Sequence, residues 1–355
     1  MLEAVSLPDW PLFGLADDVR PALRDIVRLN LPAVLATLYR VVGGSPRPAG
    51  SQMLISPERL SGFMSGGCIE ADIAAHAARV AETGRPEHLV YGDGGPYPDI
   101  RLVCGGRVEI LLEHIASDDP AIRRLLDLAA ARRPALWVSD GETRLCWPAE
   151  EPPPALSSRL AQAAQDLANA PEKRCVNADS LALGLRFLPV KRMVVVGGDP
   201  TAIAIASLAS QSGFETWLVR SKGPPAPPPL PGVAYDRRTP DIALPGIGLD
   251  AWTYVAVATH DFESDEAALT TALPSAAVYV GVLGARRRLP ERLARLTSLG
   301  VPAAALSRLK APIGLALGGK APFEIAIAVL AEVIAHPPDA DSMAQDTTPS
   351  NVALA

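Results

Sequence analysis

Two glycine pairs in the first third of the chain stand next to a cysteine, as SGGC at residues 65–68 and CGG at residues 104–106. Glycine lets a backbone come close to a ligand, and the sequence from Cys68, CIEADIAAHAARVAE, has the apolar spacing of a helix. N–H groups at a helix start favour an anion and lower the pKa of a thiol beside them. The alternative for each cysteine is a core residue beside a glycine turn. The candidate binding residues of these motifs are Ser65, Gly66, Gly67, Cys68, Cys104 and Gly105.

Arg47 is a further candidate, because it lies in the sequence GGSPRP at residues 43–48. The two prolines restrict the backbone of this loop, and a planar guanidinium suits phosphate or another oxyanion. The alternative is an exposed turn without a ligand.

A glycine turn between an apolar strand and an apolar helix, VVVGGDPTA, marks the second half of the chain. A dinucleotide fingerprint requires G-x-G-x-x-G or G-x-G-x-x-A. Gly197, Gly198 and Ala202 form a nucleotide-like turn, but Asp199 occupies the middle glycine position. Arg220 stands after the next strand, where an acid would hold a ribose hydroxyl. The sequence therefore predicts a Rossmann scaffold without its usual nucleotide, and NAD(P) binding is disfavoured.

Two more candidates follow apolar strands in this second half. His260 comes after the strand TYVAVAT, and Arg286 comes after AVYVGVLG. Ligands bind at the carboxyl ends of strands in open α/β sheets, so both residues are expected on the binding edge. The alternatives are a loop histidine with protein partners and a solvated basic turn.

Composition excludes several classes of protein. The net charge of -6 argues against nucleic acid as the main partner. The four cysteines are scattered without a C-x-x-C pair, which fits neither a zinc module nor a secreted disulfide framework and indicates the reducing cytoplasm. The N-terminal sequence has no basic segment followed by an apolar one, and no apolar stretch is long enough for a membrane span.

A length of 355 residues predicts two domains. We expect an α/β domain over residues 18–150, a proline-rich connector over 151–188, and a Rossmann-like domain over 189–336. Regular alternation of strand and helix in the last of these predicts a doubly wound, mostly parallel sheet. Residues 337–355 are polar and proline-rich and are expected to be a disordered tail.

Together these motifs resemble the XdhC/CoxI family, the accessory proteins that mature molybdenum hydroxylases such as xanthine dehydrogenase. The resemblance rests on segments in the family's order: GSPRPAGSQMLI with SGGCIEADI, CGGRVEI, THDFESDEAAL, YVGVLGARRR and APIGLALGGKAPFEIAIAVLAEVIA. It implies an N-terminal α/β cofactor-binding domain and a C-terminal Rossmann-like domain. The family commonly has GAGHVA at the Rossmann turn and an acid after the second strand, where this chain has GGDPTA and Arg220.

The resemblance implies a chaperone, without turnover of its own, for molybdenum cofactor of the molybdopterin type. Such a protein protects the cofactor, supports its sulfuration with a cysteine desulfurase-type sulfur donor, and inserts it into an apo molybdenum hydroxylase. Cys68 and Cys104 would line the cofactor site, with Cys68 a candidate molybdenum contact, Arg47 facing the phosphate, and His260 and Arg286 contributing from the second domain. A cytoplasmic homodimer is expected.

Several alternatives stay open. One is an NAD(P)-dependent oxidoreductase, and another is a docking scaffold that binds no cofactor. The client could be of the xanthine dehydrogenase, aldehyde oxidase or carbon monoxide dehydrogenase type, and the cofactor could be the plain or the cytidine dinucleotide form.

Overall fold

The computed structural model describes residues 7–93, 95, 105–177 and 182–338. The chain divides into two compact units, which meet in sequence at Pro189 and Val190. We call them unit 1 and unit 2. No helix within the described ranges is long and apolar enough to cross a membrane.

Unit 1 contains a five-stranded antiparallel sheet, in the order β3-β2-β1-β5-β4, and a four-stranded antiparallel sheet, in the order β7-β6-β9-β8. Its helices are α1 (Arg20–Leu29), α2 (Glu70–Thr83), α3 (Pro120–Ala130) and α4 (Ser158–Asn169), and its strands are β1 (Ala33–Val42), β2 (Gln52–Ile55), β3 (Leu60–Ser61), β4 (Glu87–Gly92), β5 (Arg107–Ile115), β6 (Ala135–Ser139), β7 (Arg144–Pro148), β8 (Cys175–Asn177) and β9 (Leu183–Phe187).

Strand β1 is the centre of the five-stranded sheet and is buried on both faces. Its odd-numbered side chains, such as Leu35, pack in the core with α1 and α3. Its even-numbered side chains, such as Leu38, pack in a second core against α2. A strand covered on both faces needs a continuous apolar run, and this requirement explains the sequence AVLATLYRVV.

Residues 151–188, expected as a connector, contain α4, β8 and β9. Strand β9 pairs along the whole of β6, so this segment completes the four-stranded sheet of unit 1. The Ser157 hydroxyl caps α4 by accepting from the N–H of Leu160 at 3.4 Å. Three of the four prolines in this segment lie in the loop before this cap, and the two strands are too short to give a strong periodic signal.

Unit 2 has a six-stranded parallel sheet in the order β12-β11-β10-β13-β14-β15, as predicted for a doubly wound fold. Helices α5 and α10 pack on one face, and α6, α7 and α8 on the other. The elements are β10 (Arg192–Gly197), α5 (Pro200–Gln211), β11 (Glu215–Val219), β12 (Val233–Asp236), α6 (Pro240–Ile247), β13 (Thr253–Ala258), α7 (Phe262–Ala272), β14 (Tyr279–Val282), α8 (Leu289–Ser298), α9 (Ala303–Leu306), β15 (Leu309–Lys310) and α10 (Pro322–Ile334).

Candidate functional site

The SGGC loop of unit 1 is built around the carboxylate of Glu70. Four consecutive backbone N–H groups donate to this carboxylate: Met64 at 3.0 Å, Ser65 at 2.7 Å, Gly66 at 3.2 Å and Gly67 at 2.8 Å. The Ser65 hydroxyl donates to it as well, at 2.7 Å. Glu70 is 2% exposed, so its negative charge is held inside the loop.

The hydroxyl of Ser65 completes this arrangement on the other side. It accepts from the N–H groups of Cys68 at 3.0 Å and Ile69 at 3.2 Å. Helix α2 begins at Glu70, two residues later than the helix predicted from Cys68. The sequence predicts that N–H groups here are free to receive an anionic ligand, but in the structure Glu70 and Ser65 take them.

Hydrogen bonding decides the charge state of Glu70. Burial alone would raise the pKa of its carboxyl, but the hydrogen bonds from Ser65 and Met64 lower it further than burial raises it. Glu70 is therefore ionised at neutral pH, and its charge is available to order the loop.

Cys68 is presented at the surface by this ordered loop. Its thiol is free and its side chain exposed. Gly66 and Gly67 have φ angles of 86° and 116°, and a Cβ on either would meet nothing within 4 Å. These glycines are thus needed for the left-handed turn, and the space above them is open to a large ligand.

The GGSPRP loop and the second glycine pair lie against each other in unit 1. A Cβ on Gly106 would collide with the carbonyl oxygen of Gly44, and a Cβ on Gly43 would lie 3.5 Å from the Cα of Gly106. Gly105 adjoins this contact, with a φ of 69°. The structure therefore brings the GGSPRP loop beside Gly105, whereas Cys104 lies outside the described residues.

Arg47 in this loop is held by an aromatic ring and an acid. Its guanidinium carbon lies 4.8 Å from the centre of the Phe63 ring, and it forms an ion pair with Asp17. Phe63 stands two residues before Ser65, so Arg47 lies close to the start of the SGGC loop. Burial, and to a lesser extent the charge of Arg174, lowers the pKa of Arg47. A phosphate at Arg47 would have to displace Asp17.

Unit 2 has a cleft of about 600 Å³ at the carboxyl ends of β10, β11 and β13. Its lining includes Gly197, Gly198, Asp199 and His260. Asp199 caps α5, since its Oδ1 accepts from the N–H of Ala202 at 2.7 Å. Its Oδ2 lies 3.0 Å from Nε2 of His260. A carboxylate thus fills the helix end that a nucleotide pyrophosphate would use.

The candidate residues of unit 2 are only partly brought together. His260 lies next to the glycine turn through its contact with Asp199. Arg286 begins a short 3-10 helix before α8 and is not among the described residues that line the cleft.

Sequence reasoning missed Glu70 and Phe63. An acid in the first turn of a helix, directly after a serine–glycine loop, is a signal that could have identified Glu70 as the partner of the loop N–H groups. Phe63 gave no such signal, because a cation–aromatic contact between distant residues leaves no local pattern.

Comparisons with known proteins agree across both units. Residues 27–92 match the family model of the XdhC and CoxI family, and residues 193–333 match that of the XdhC Rossmann domain. The two matches stand in order and together cover more than half of the chain.

Two curated proteins and one solved structure are similar over most of the chain. The Escherichia coli molybdenum cofactor insertion chaperone PaoD is 29% identical over 90% of this chain and 89% of its own. A Bacillus subtilis protein, named as a probable subunit of xanthine dehydrogenase, is 25% identical over 85% of this chain and 92% of its own. A crystal structure described as a xanthine dehydrogenase from Bacillus halodurans covers 95% of this chain and 98% of its own, with a TM-score of 0.70 and 23% identity, which supports likeness of fold.

Proposed function

The chain belongs to the XdhC and CoxI family, and from this premise we propose that it is a chaperone that binds molybdenum cofactor and inserts it into a molybdenum hydroxylase. The observation that carries the proposal is the likeness to a cofactor insertion chaperone over nine-tenths of the chain. The cofactor is cargo in this role, and the protein itself turns over no substrate.

Unit 1 has side chains suited to this cargo. The Cys68 thiol is exposed on a loop whose backbone is fixed by Glu70, and thiolate is a ligand type for soft metal centres. No atom lies within 4 Å of a Cβ built on either glycine, so a ligand can approach the backbone beside the thiol. Arg47 is the cation for the pterin phosphate, with Asp17 giving way to it.

In this role the protein works with a sulfur donor and a client enzyme. We propose that Cys68 holds the cofactor while a cysteine desulfurase-type donor supplies sulfur, and that the apo client then receives it. The client is of the xanthine dehydrogenase, aldehyde oxidase or carbon monoxide dehydrogenase type. The protein acts in the cytoplasm as a homodimer and does not use NAD(P).

Cofactor retention tests the proposal. The purified full chain is titrated anaerobically with molybdenum cofactor and desalted, and co-eluting molybdenum and oxidised pterin are quantified. The wild type is expected to retain both in near-stoichiometric amounts. Cys68→Ala is expected to bind the cofactor about tenfold more weakly, which corresponds to a loss of about 1.4 kcal/mol in binding free energy.

Cys146→Ala is the matched control for this experiment. Cys146 lies on β7 of the same unit, and burial raises the pKa of its thiol to about 12, so its loss is expected to leave retention unchanged. Equal retention by wild type and Cys68→Ala would place the cofactor elsewhere. No retention by folded wild type would favour the docking scaffold.

A further inference from the structure

The cleft of unit 2 is open to a ligand although its usual pyrophosphate position is closed. Asp199 caps α5 there, and a Cβ on Gly198 would collide with the side chain of Arg220. The second glycine of the turn therefore makes room for an arginine of the same chain, which lies over it. A dinucleotide would meet a carboxylate at the helix end and an arginine on the turn.

Positive charge is concentrated at another place in the cleft, after β11. Arg220, Ser221 and Lys222 line the cleft in sequence. Both cationic side chains are exposed, and neither forms an ion pair with any residue in the described ranges. The Ser221 hydroxyl is buried without a hydrogen-bond partner among the described atoms. The charge of Lys222 also acts on Asp261, which lines the same cleft, but at a distance longer than an ion pair. Two cations without an ion-pair partner among the described residues, beside a donor hydroxyl, provide the chemistry that holds a phosphate.

In a Rossmann fold, the residue that follows the second strand contacts the sugar of a bound nucleotide. An acid after the second strand accepts from a ribose 2′-hydroxyl, whereas an arginine there accommodates the 2′-phosphate of NADP. The turn is fixed, because the N–H of Gly223 donates to the carbonyl of Arg220 at 3.0 Å. Lys222 has a φ of 55°, a left-handed conformation that is uncommon for lysine.

The cleft also has acidic residues in its lining. Asp199 and His260 are in contact, and Asp241, Asp261 and Glu263 also line the cleft. The carboxylates are acceptors for hydroxyl or amino groups. Val196, Val219 and Ala258 also line the cleft, and all three are buried.

We propose that this cleft binds a nucleoside monophosphate, with Arg220, Ser221 and Lys222 holding the phosphate. Asp199 accepts hydrogen bonds from the sugar hydroxyls or the base amino group. A volume of about 600 Å³ lies within the ordinary range for such ligands. This site is additional to the cofactor site proposed for unit 1.

Calorimetric titration of the full chain, free of molybdenum cofactor, tests the proposal. The probes are 2′-AMP and 5′-CMP, with adenosine, cytidine and NAD⁺ as comparisons. At least one monophosphate is expected to bind one per chain, at least about tenfold more tightly than its nucleoside and than NAD⁺. The nucleoside has no phosphate for the two cations, and the pyrophosphate of NAD⁺ would be repelled by the carboxylate of Asp199.

Variants of the two cations identify the site. Arg220→Gln and Lys222→Gln are each expected to weaken monophosphate binding about tenfold. Arg287→Gln removes an exposed arginine of unit 2 outside the cleft lining and is expected to leave binding unchanged. Unchanged thermal unfolding of each variant establishes that it is folded.

Three results would overturn the proposal. The first is that neither monophosphate binds at millimolar concentration. The second is that the nucleosides or NAD⁺ bind as tightly as the monophosphates. The third is that Arg220→Gln and Lys222→Gln bind like the wild type. None of these results bears on cofactor retention by Cys68, so the two proposals fail separately.

Discussion

Glu70 is the residue on which the shape of the cysteine loop depends. Its carboxylate accepts from the backbone of four successive residues and from the Ser65 hydroxyl. Glu70→Gln replaces one acceptor oxygen by an amide group that faces donors. We expect a loss of about 2 kcal/mol in the free energy of unfolding, measured by urea denaturation.

Thiol reactivity gives a second readout of the same variant. The rate at which Cys68 reacts with a thiol reagent is expected to change in Glu70→Gln, since the loop no longer holds Cys68 in one position. Glu82→Gln, on the exposed side of the same helix, is the control and should behave like the wild type. Wild-type stability and reactivity in Glu70→Gln would mean that the loop is held by other contacts.

The pH dependence of this stabilisation follows from the lowered pKa of Glu70. A carboxyl whose pKa is lower in the folded than in the unfolded state contributes stability above its unfolded pKa. The wild type should therefore have a larger free energy of unfolding than Glu70→Gln from neutral pH down to about pH 4, which is the ordinary pKa of glutamate. The difference should shrink at lower pH, as urea denaturation across this range would measure. A constant difference at all pH values would contradict this assignment.

At the scale of elements, the turn between β10 and α5 determines which ligands unit 2 can take. Asp199→Gly restores the middle glycine of the fingerprint and removes the carboxylate from the end of α5. We expect NADH binding, measured by nicotinamide fluorescence, to become detectable or several-fold tighter. Because glycine is a tolerable cap, helix stability should fall by only a few tenths of a kcal/mol.

Asp241→Asn is the control for this prediction. Asp241 lines the same cleft but lies at the start of α6, away from the glycine turn. If both variants gained NADH binding equally, the gain would come from the loss of negative charge anywhere in the cleft and not from opening the glycine turn. If Asp199→Gly gained none, Arg220 would be the group that closes the turn.

Local patterns predicted the elements better than they predicted the contacts of the site. Strands β13 and β14 were readable from the apolar segments TYVAVAT and AVYVGVLG, and both lie within those segments. The start of α2 was not readable in this way. The backbone N–H groups of Cys68 and Ile69 donate hydrogen bonds to the side chains of Ser65 and Glu70, and these bonds replace the first helical turn. The contact of Arg47 with Phe63 and Asp17 joins residues that only the tertiary fold brings together.

For the whole molecule, the cores explain why the chain divides where it does. Each hydrophobic core of the described residues draws its side chains from one unit only. The parallel sheet of unit 2 followed from the alternation of strand and helix. The assignment of residues 151–188 to unit 1 did not, because strand pairing between β6 and β9 has no local signature.

Truncation tests this division. A fragment of residues 1–189 is expected to fold alone and unfold cooperatively in urea, because it contains all its core partners. A fragment of residues 1–150 loses the buried side chains of α4 and β9, among them Leu160, Leu183 and Leu185. At about 2 kcal/mol for each large side chain, this loss approaches the whole stability of a domain. The shorter fragment should therefore be unfolded or aggregated by circular dichroism and gel filtration. A cooperatively folded 1–150 fragment would restore residues 151–188 as a connector.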